Sequence, residues 1–547
     1  MKKRVSGIIG AVLAGVMILG TMAGCGAEEV ANGDSTPVEN SVESSADAEA
    51  TGITYPLDTD ETFTIAIVND KPIAAVSKDI TATPFAKAWA EQTGVNLEFI
   101  VVEDNNAMNL LFADGDLPDI VFWRPYVYTG GPEKAIADGV LSPISQEEME
   151  KYAPDFMNAV EASGPDVRRI MMNNAGEYIG FGMIMDDPAL QNACGMLLRE
   201  DWLREFEMEV PDTIEEFEAY LQACVDKGIE HPLPSAELDG PMWHGYWTTP
   251  FGLVSAEEYQ IDGKVFCGWA QPEYKEVLAW LKSLADRGLM DTSFTAYDNG
   301  VYGDKMGCWF NAVGSGIGTY MAMAEDPTSG LAEGFEVVAM PSFGGPNGEP
   351  AMAGYGYYTQ PVAAAYCWIT PACENKELAI QFLNYGYTEA GHLLFNFGVE
   401  GESYEMVDGV PTYTEWITHN PDGLSMQYAM AQYNRAAVGG GPFVQSVVYA
   451  DQYFWREQQK EATVVWAQHE GEKYRMPQYQ VTDDEASEFN KIAADINTYV
   501  KEARVKFVTG ELSIDEYESV YLKTLNDMGY ERYLEILQAA VDRYYAK

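Results

Sequence analysis

Two clusters of residues are placed to handle a bound molecule, and both follow apolar runs. Ile120-Val121-Phe122 is followed at once by Trp123 and Arg124. A short apolar run of this kind sits inside a sheet, and in open α/β sheets ligands bind beyond the carboxyl ends of the strands. Trp123 is expected to present its ring as a stacking platform, with Arg124 beside it. The competing reading is that Trp123 is a large core side chain. The second cluster, Asn69, Asp70 and Lys71, follows the run Phe63–Val68 in the same way. Signatures of chemistry on a substrate are missing. The sequence contains no HExxH, no nucleophile elbow, no CxxC and no GxxxxGK[ST] phosphate loop. Its five histidines are scattered without metal-ligand spacing.

The elements that must hold these clusters follow an alternating rhythm. Phe63–Val68 reads as a strand, and Phe85–Thr93 as a helix closed by Gly94. Val95–Val102 is a strand again, Ala107–Ala113 a helix, and Ile120–Phe122 a strand. This is the order of a mostly parallel sheet. Further on, Thr213 and Glu216 predict a capping box at the start of a helix that runs to about Gly228. Pro272 opens another helix that ends at Gly288. Gly307–Gly318 is Gly-rich around Trp309, and Phe335–Met340 reads as a buried strand. From Asp483 onward the periodicity is helical, in segments near 483–508, 514–528 and 531–544. A chain of 547 residues exceeds what one ordinary core supports, so two or more domains are expected.

The first residues form an address rather than a fold. Lys2, Lys3 and Arg4 precede an apolar run from Ile8 to Met22, which is short for a spanning helix. The run ends Met22-Ala23-Gly24-Cys25, and small residues before a cysteine resemble a lipobox. Residues 1–24 are expected to be a lipoprotein signal peptide, with Cys25 carrying lipid on the outer face of the cell membrane. Residues 25–56 are rich in Ser, Ala, Glu and Asp and read as a disordered tether. The net charge of −52 argues against nucleic acid and against direct binding to anionic membranes. It also disfavours a polyanionic ligand. Six cysteines besides Cys25 permit disulfides in an exported protein without demanding them.

Five motifs in order carry a resemblance: GDLPDIVFW (115–123), LLREDWLREF (197–206) with PDTIEEFEAYL (211–221), WLKSLADRGLMDTSF (280–294), GHLLFNFGVEGESYEMVDGVPTYT (391–414) and the C-terminal helices (506–537). Together they resemble the extracellular solute-binding lipoproteins (family 1) of carbohydrate ABC transporters, in particular the large gram-positive type. The resemblance implies an α/β, two-lobe, periplasmic-binding-protein-like fold of type II character, with an interlobe cleft and a helical C-terminal extension. Lobe 1 would comprise 57–180 and 341–400, and lobe 2 would comprise 183–340 and 401–547. The resemblance also implies an oligosaccharide ligand, delivery to ABC permease subunits, no enzymatic activity, no cofactor and a monomeric protein. Some large members carry a calcium loop after the helix that here ends near Asp226. The sequence Asp226-Lys227-Gly228-Ile229-Glu230-His231-Pro232 lacks the alternating oxygen ligands, so no metal is expected.

A sugar offers apolar C–H faces and a rim of hydroxyls, and so asks for aromatic platforms and polar side chains. Maltose-type members place an Asp, a Lys and an aromatic at positions comparable to Asp70, Lys71 and Trp123. Trp309 resembles a stacking tryptophan of the second lobe. Trp243 and Trp247, with His244, lie in a Pro/Gly-rich loop where packing does not ordinarily demand two tryptophans. Tyr357 and Tyr358 are comparable, and Glu400 and Glu402 could accept hydroxyl hydrogen bonds. The expected ligand set is therefore Asn69, Asp70, Lys71, Trp123, Arg124, Trp243, Trp247, Trp309, Tyr357, Tyr358 and Glu400. The alternatives are a binding protein of the same fold for a peptide or other small molecule, and an exported glycoside hydrolase. The hydrolase would need two carboxylates about 5–10 Å apart across the cleft.

Overall fold

Among the described residues, twelve strands and the helices between them are shared by two large hydrophobic cores and a smaller satellite. The structure, a computed structural model, describes residues 52–68, 71–187, 190–191, 194–235, 238, 245–293, 305–352 and 360–547. In chain order the strands are β1 (Thr62–Val68), β2 (Asn96–Val102), β3 (Ile120–Trp123), β4 (Phe181–Ile184), β5 (Cys194–Arg199), β6 (Glu258–Ile261), β7 (Lys264–Cys267), β8 (Cys308–Ala312), β9 (Val337–Ala339), β10 (Val362–Ile369), β11 (Tyr404–Val407) and β12 (Val410–Tyr413).

The first sheet has the order β2-β1-β3-β10-β4. β1 pairs in parallel with β2 and β3, while β10 runs antiparallel to both β3 and β4. The carboxyl ends of β1, β3 and β4 therefore lie on the same edge as the start of β10. The helix Pro84–Thr93 is capped by Thr83, whose side chain accepts from Ala86 N–H, and by Gly94 in the left-handed region. Asp104 and Gly115 do the same for Asn105–Asp114. The second sheet, β8-β5-β9, is antiparallel.

The first core gathers buried apolar residues from Phe63 to Leu190 and again from Val362 to Ala450, and takes in Tyr544. A second core and a smaller satellite gather Met196 to Phe343 and Ala462 to Val541. The chain therefore differs from the expected lobe boundaries in three places. Met183 and Ile184 belong to the first core because β4 is an edge strand of its sheet. Phe343 belongs to the second, so the return to the first core comes only with β10. The stretch 401–450 also belongs to the first core: Tyr404, Tyr413, Ile417, Phe443 and Tyr449 are all buried there. The final helix, Tyr530–Ala546, serves both cores. Its Ile536, Leu537 and Val541 pack in the second and its Tyr544 in the first.

The LLRED motif has a structural basis. Arg199 ends β5 fully buried, and its guanidinium grips Asp201 through two bonds of 2.8 and 2.7 Å. It lies 4.0 Å from the Trp202 ring and 4.4 Å from the Phe335 ring. At Thr213 the cap is made as expected, and the Glu216 carboxylate accepts from the Asp212 N–H at 3.1 Å. None of the six cysteines from Cys194 to Cys373 is in a disulfide. In the loop Asp226–Pro232, Lys227 pairs with Glu205, and Glu230 with Lys305.

The second sheet is closed by an aromatic lid. Trp466 lies over Gly195 of β5, where a Cβ would come within 2.3 Å of the indole. Gly195→Ala is expected to cost about 1–3 kcal/mol by overpacking, seen as a lower midpoint of thermal unfolding. An unchanged midpoint would mean that Trp466 can move aside freely.

Candidate functional site

β3 is buried along its whole length. Ile120, Val121 and Phe122 pair with Ile65, Ala66 and Ile67 on one side. Ile369 to Tyr366 pair with Ile120 to Trp123 on the other. A central strand covered on both faces spends every side chain on packing, and Trp123 is no exception. It is 3% exposed. Its ring lies 5.7 Å from Phe112 and 6.1 Å from Trp368, and its Nε1 donates to Asn105 Oδ1 at 2.8 Å. The ring that was expected to wall a cleft is a core side chain of the first sheet.

The other two described tryptophans of the expected set are also internal. Trp247 is fully buried and stacked on Phe217 at 4.9 Å, with Trp280 at 5.7 Å. Trp309 is fully buried because its Gly-rich surroundings contain a strand: it sits in β8 opposite Leu197 of β5 and meets Tyr320 edge-on at 5.4 Å. Glu400 is exposed, in the turn before the hairpin β11–β12, where it bridges to Tyr404. Lys71 opens the short helix Lys71–Val76, and its side chain lies outside the described set. Asn69, Asp70, Trp243, His244, Tyr357, Tyr358 and Cys25 lie outside the described residues.

Arg124 does stand at an opening. It is exposed, one residue past the end of β3, and it lines a cavity of about 390 Å³, within the range of small-molecule sites. One wall is the chain that continues from β3, with Tyr126, Val127 and Glu133. The other wall is Pro477–Val481 with Phe489 and Asn490. Val481 and Phe489 are second-core residues, so the cavity lies where the two cores meet. The helix Gly131–Ala137 and the start of the helix Asp483–Thr509 adjoin there.

The walls are tied by hydrogen bonds. Tyr126 donates its hydroxyl to the Ile170 carbonyl at 2.8 Å and meets Tyr366 edge-on. Burial raises its pKa, so it stays a neutral phenol. Glu133 accepts from the Asn174 N–H at 2.6 Å. Gln480 is 5% exposed, and its Nε2 donates to the Met172 carbonyl at 2.9 Å. Behind it Arg543 is paired with Glu485 at 2.6 Å, which holds the carboxylate below its usual pKa range together with the Thr482 N–H, against the effect of burial. Tyr126 was within reach of sequence reasoning, since it lies in the same stretch as Arg124. Gln478, Tyr479 and Gln480 were not: nothing local connects them to a strand end so far back in the chain.

Two hydrophobic cores, with a cavity between them that opens just past the end of β3, are the layout of a two-lobed binding fold. The chain belongs to the bacterial extracellular solute-binding proteins, whose profile matches residues 74–392, more than half of its length. It is 24% identical over 463 residues to lipoprotein LipO of Bacillus subtilis (strain 168), covering 81% of this chain and 85% of that one. It is 21% identical over 566 aligned residues to the fructooligosaccharide ABC transporter substrate-binding protein FusA of Streptococcus pneumoniae serotype 4 (strain ATCC BAA-334 / TIGR4), covering 96% of each. Among solved structures, the alginate-binding protein AlgQ2 without calcium ion superposes with a TM-score of 0.68 at 20% identity, covering 89% of this chain and 99% of that one. FusA in complex with kestose gives 0.68 at 18%, covering 89% and 100%. These likenesses establish the fold.

The placement of Trp123 predicts a separation of stability from binding. Trp123→Ala should cost about 3–5 kcal/mol, as for a large core truncation, whereas Trp123→Phe should leave the affinity for a bound solute unchanged. A large loss of affinity in Trp123→Phe at unaltered melting temperature would restore the ring to the binding surface.

Proposed function

We propose that this protein captures a carbohydrate, in the form of an oligosaccharide, at the outer face of the cell membrane and delivers it to the permease of an ABC transporter. The observation that carries the reading is the family match over residues 74–392, joined to relatives whose names state glycan ligands, fructooligosaccharide for FusA and alginate for AlgQ2. The cavity beside Arg124 supports it. Its walls combine aromatic rings, amides, one cation and one carboxylate, the mixture that a ring with hydroxyls requires. The protein binds and releases its solute unchanged, and transport energy comes from the transporter's ATPase. The reading takes Cys25 as the lipidated anchor residue, residues 25–56 as the tether, the two cores as lobes that close on the ligand, and the protein as a monomer. Asn69, Asp70, Lys71, Trp243, Tyr357, Tyr358 and Glu400 remain proposed partners of the ligand beside Arg124.

A melting-temperature screen against oligosaccharides and peptides tests this reading. A matching oligosaccharide at a hundredfold excess over its Kd should add about 2.7 kcal/mol of stability, and the recovered sugar should be uncleaved. Stabilisation by a peptide and by no glycan would favour the peptide alternative, and cleavage would favour the hydrolase. Separately, Cys25→Ala should move the protein from the membrane fraction to the medium. Retention on the membrane would mean that the apolar N-terminal run itself is the anchor.

A further inference from the structure

Most of the described tryptophans are buried, whereas Trp455 is 48% exposed. Exposure alone means little for a single ring, but this one stands at a second junction of the lobes. Tyr449 and Ala450 are buried in the first core, Ala462 and Trp466 in the satellite, and Phe454 packs against both. Trp455 lines a cavity of about 130 Å³ there. Leu424 and Met426 come to it from the first-core side. Gly314 and Gly318, in the turn that follows β8, come from the other. The two sides meet closely, since a Cβ on Gly314 would lie 2.5 Å from the Tyr453 ring. The indole is held from behind. The Arg456 guanidinium lies over the Trp455 ring, 4.5 Å from its centroid, and is itself gripped by the Glu325 carboxylate through two bonds. Gln459 ties this stretch to the satellite core, donating its Nε2 to the Val313 carbonyl at 3.0 Å. One face of the indole is therefore backed by a fixed cation, and the area left open belongs to its other face and edges.

We infer that Trp455 is a stacking platform for one ring of a bound oligosaccharide, at an opening between the lobes other than the cavity beside Arg124. The inference rests on the carbohydrate reading above and adds a subsite and the residue that makes it. A sugar ring lays its C–H face on an indole and keeps its hydroxyls at the rim, and a rigid aromatic gives that contact at a low cost in side-chain entropy. Because Arg456 is already paired with Glu325, the opening offers a flat apolar surface rather than a free charge. Polar groups border it: Thr319 is exposed, and Ser425 begins the helix Met426–Met430 without spending its side chain on the cap. The volume is below the roughly 300–1,000 Å³ of pockets that hold a whole ligand, so the opening takes one ring of a longer chain.

The test is isothermal titration of the full chain with kestose, Man5GlcNAc and an alginate trisaccharide, together with tryptophan emission and the melting temperatures of the unliganded variants. For the sugar that binds, Trp455→Ala should lose about tenfold in affinity, the scale of one ring-stacking contact. Trp455→Phe, which keeps a smaller platform, should recover part of that loss. Trp416→Ala removes the other exposed indole and should bind as the wild type does. The unliganded Trp455→Ala protein should melt close to the wild type, because the ring is half exposed. The sugar should also shift the indole emission of the wild type, and the shift should shrink in Trp455→Phe. Affinity unaltered in Trp455→Ala overturns the inference and leaves the carbohydrate reading standing. So does a loss of affinity with the emission shift fully retained in Trp455→Phe, since the ring would then act at a distance. Binding of none of these sugars by the wild type overturns both.

Discussion

The pairing of β3 with β10 is the contact on which the first half of the molecule depends. β3 leaves the first core early, and β10 arrives only after the chain has built most of the second core and returned. Until Tyr366–Ile369 are laid against Ile120–Trp123, β3 has one covered edge and the sheet cannot receive β4 beyond it. Gly182 of β4 shows how closely this joint is made. A Cβ there would lie 2.6 Å from Val362 and 3.0 Å from the Tyr366 ring. The same pairing explains the site. A strand buried on both faces has no side chain to spare, so the cavity is lined from Arg124 onward, the residue after it.

Much of the fold was legible, because its signals are local. The helices Pro84–Thr93, Ile214–Lys227 and Pro272–Asp286 begin and end where their caps and prolines predict. The long C-terminal helices follow from periodicity alone. Trp309 was not legible, because glycines around it read as a loop while pairing with β5 makes them a strand and a following π-turn. The assignment of 401–450 failed for a related reason. The hairpin and short helices there carry ordinary local signals, and only tertiary packing decides which core receives Tyr413 and Phe443. The cavity wall at Gln478–Gln480 is the clearest case. Its residues are unremarkable in sequence and acquire meaning from facing Arg124 and Tyr126.

The linkage between the two cores is distributed. The chain crosses after β4, before β10, and after Ala450, and the last helix crosses once more with Tyr544. Lys547 donates to the same Met172 carbonyl that holds Gln480. A change at this junction is therefore felt by the cavity and by the C-terminal helix together. Arg199 plays the opposite part. Clamped by Asp201 between Trp202 and Phe335, it ties the end of β5 to its own lobe.

Several polar atoms of the interior go without a partner among the described residues, including Thr249 Oγ1, the Tyr366 hydroxyl and a set of indole nitrogens. The indole nitrogens of Trp89, Trp247, Trp269, Trp309, Trp368 and Trp466 are buried without partners among the described residues. They sit deep within the cores, where no solute can reach them, and the large apolar area of each ring outweighs one unmade hydrogen bond. Trp123 and Trp280 show the alternative, with Asn105 and Glu218 supplied as acceptors. The amide oxygens of Gln478 and Gln480 are also buried without a partner among the described residues, on side chains that line the cavity beside Arg124. Most of the described tryptophans thus serve core construction, while Trp416 and Trp455 are exposed.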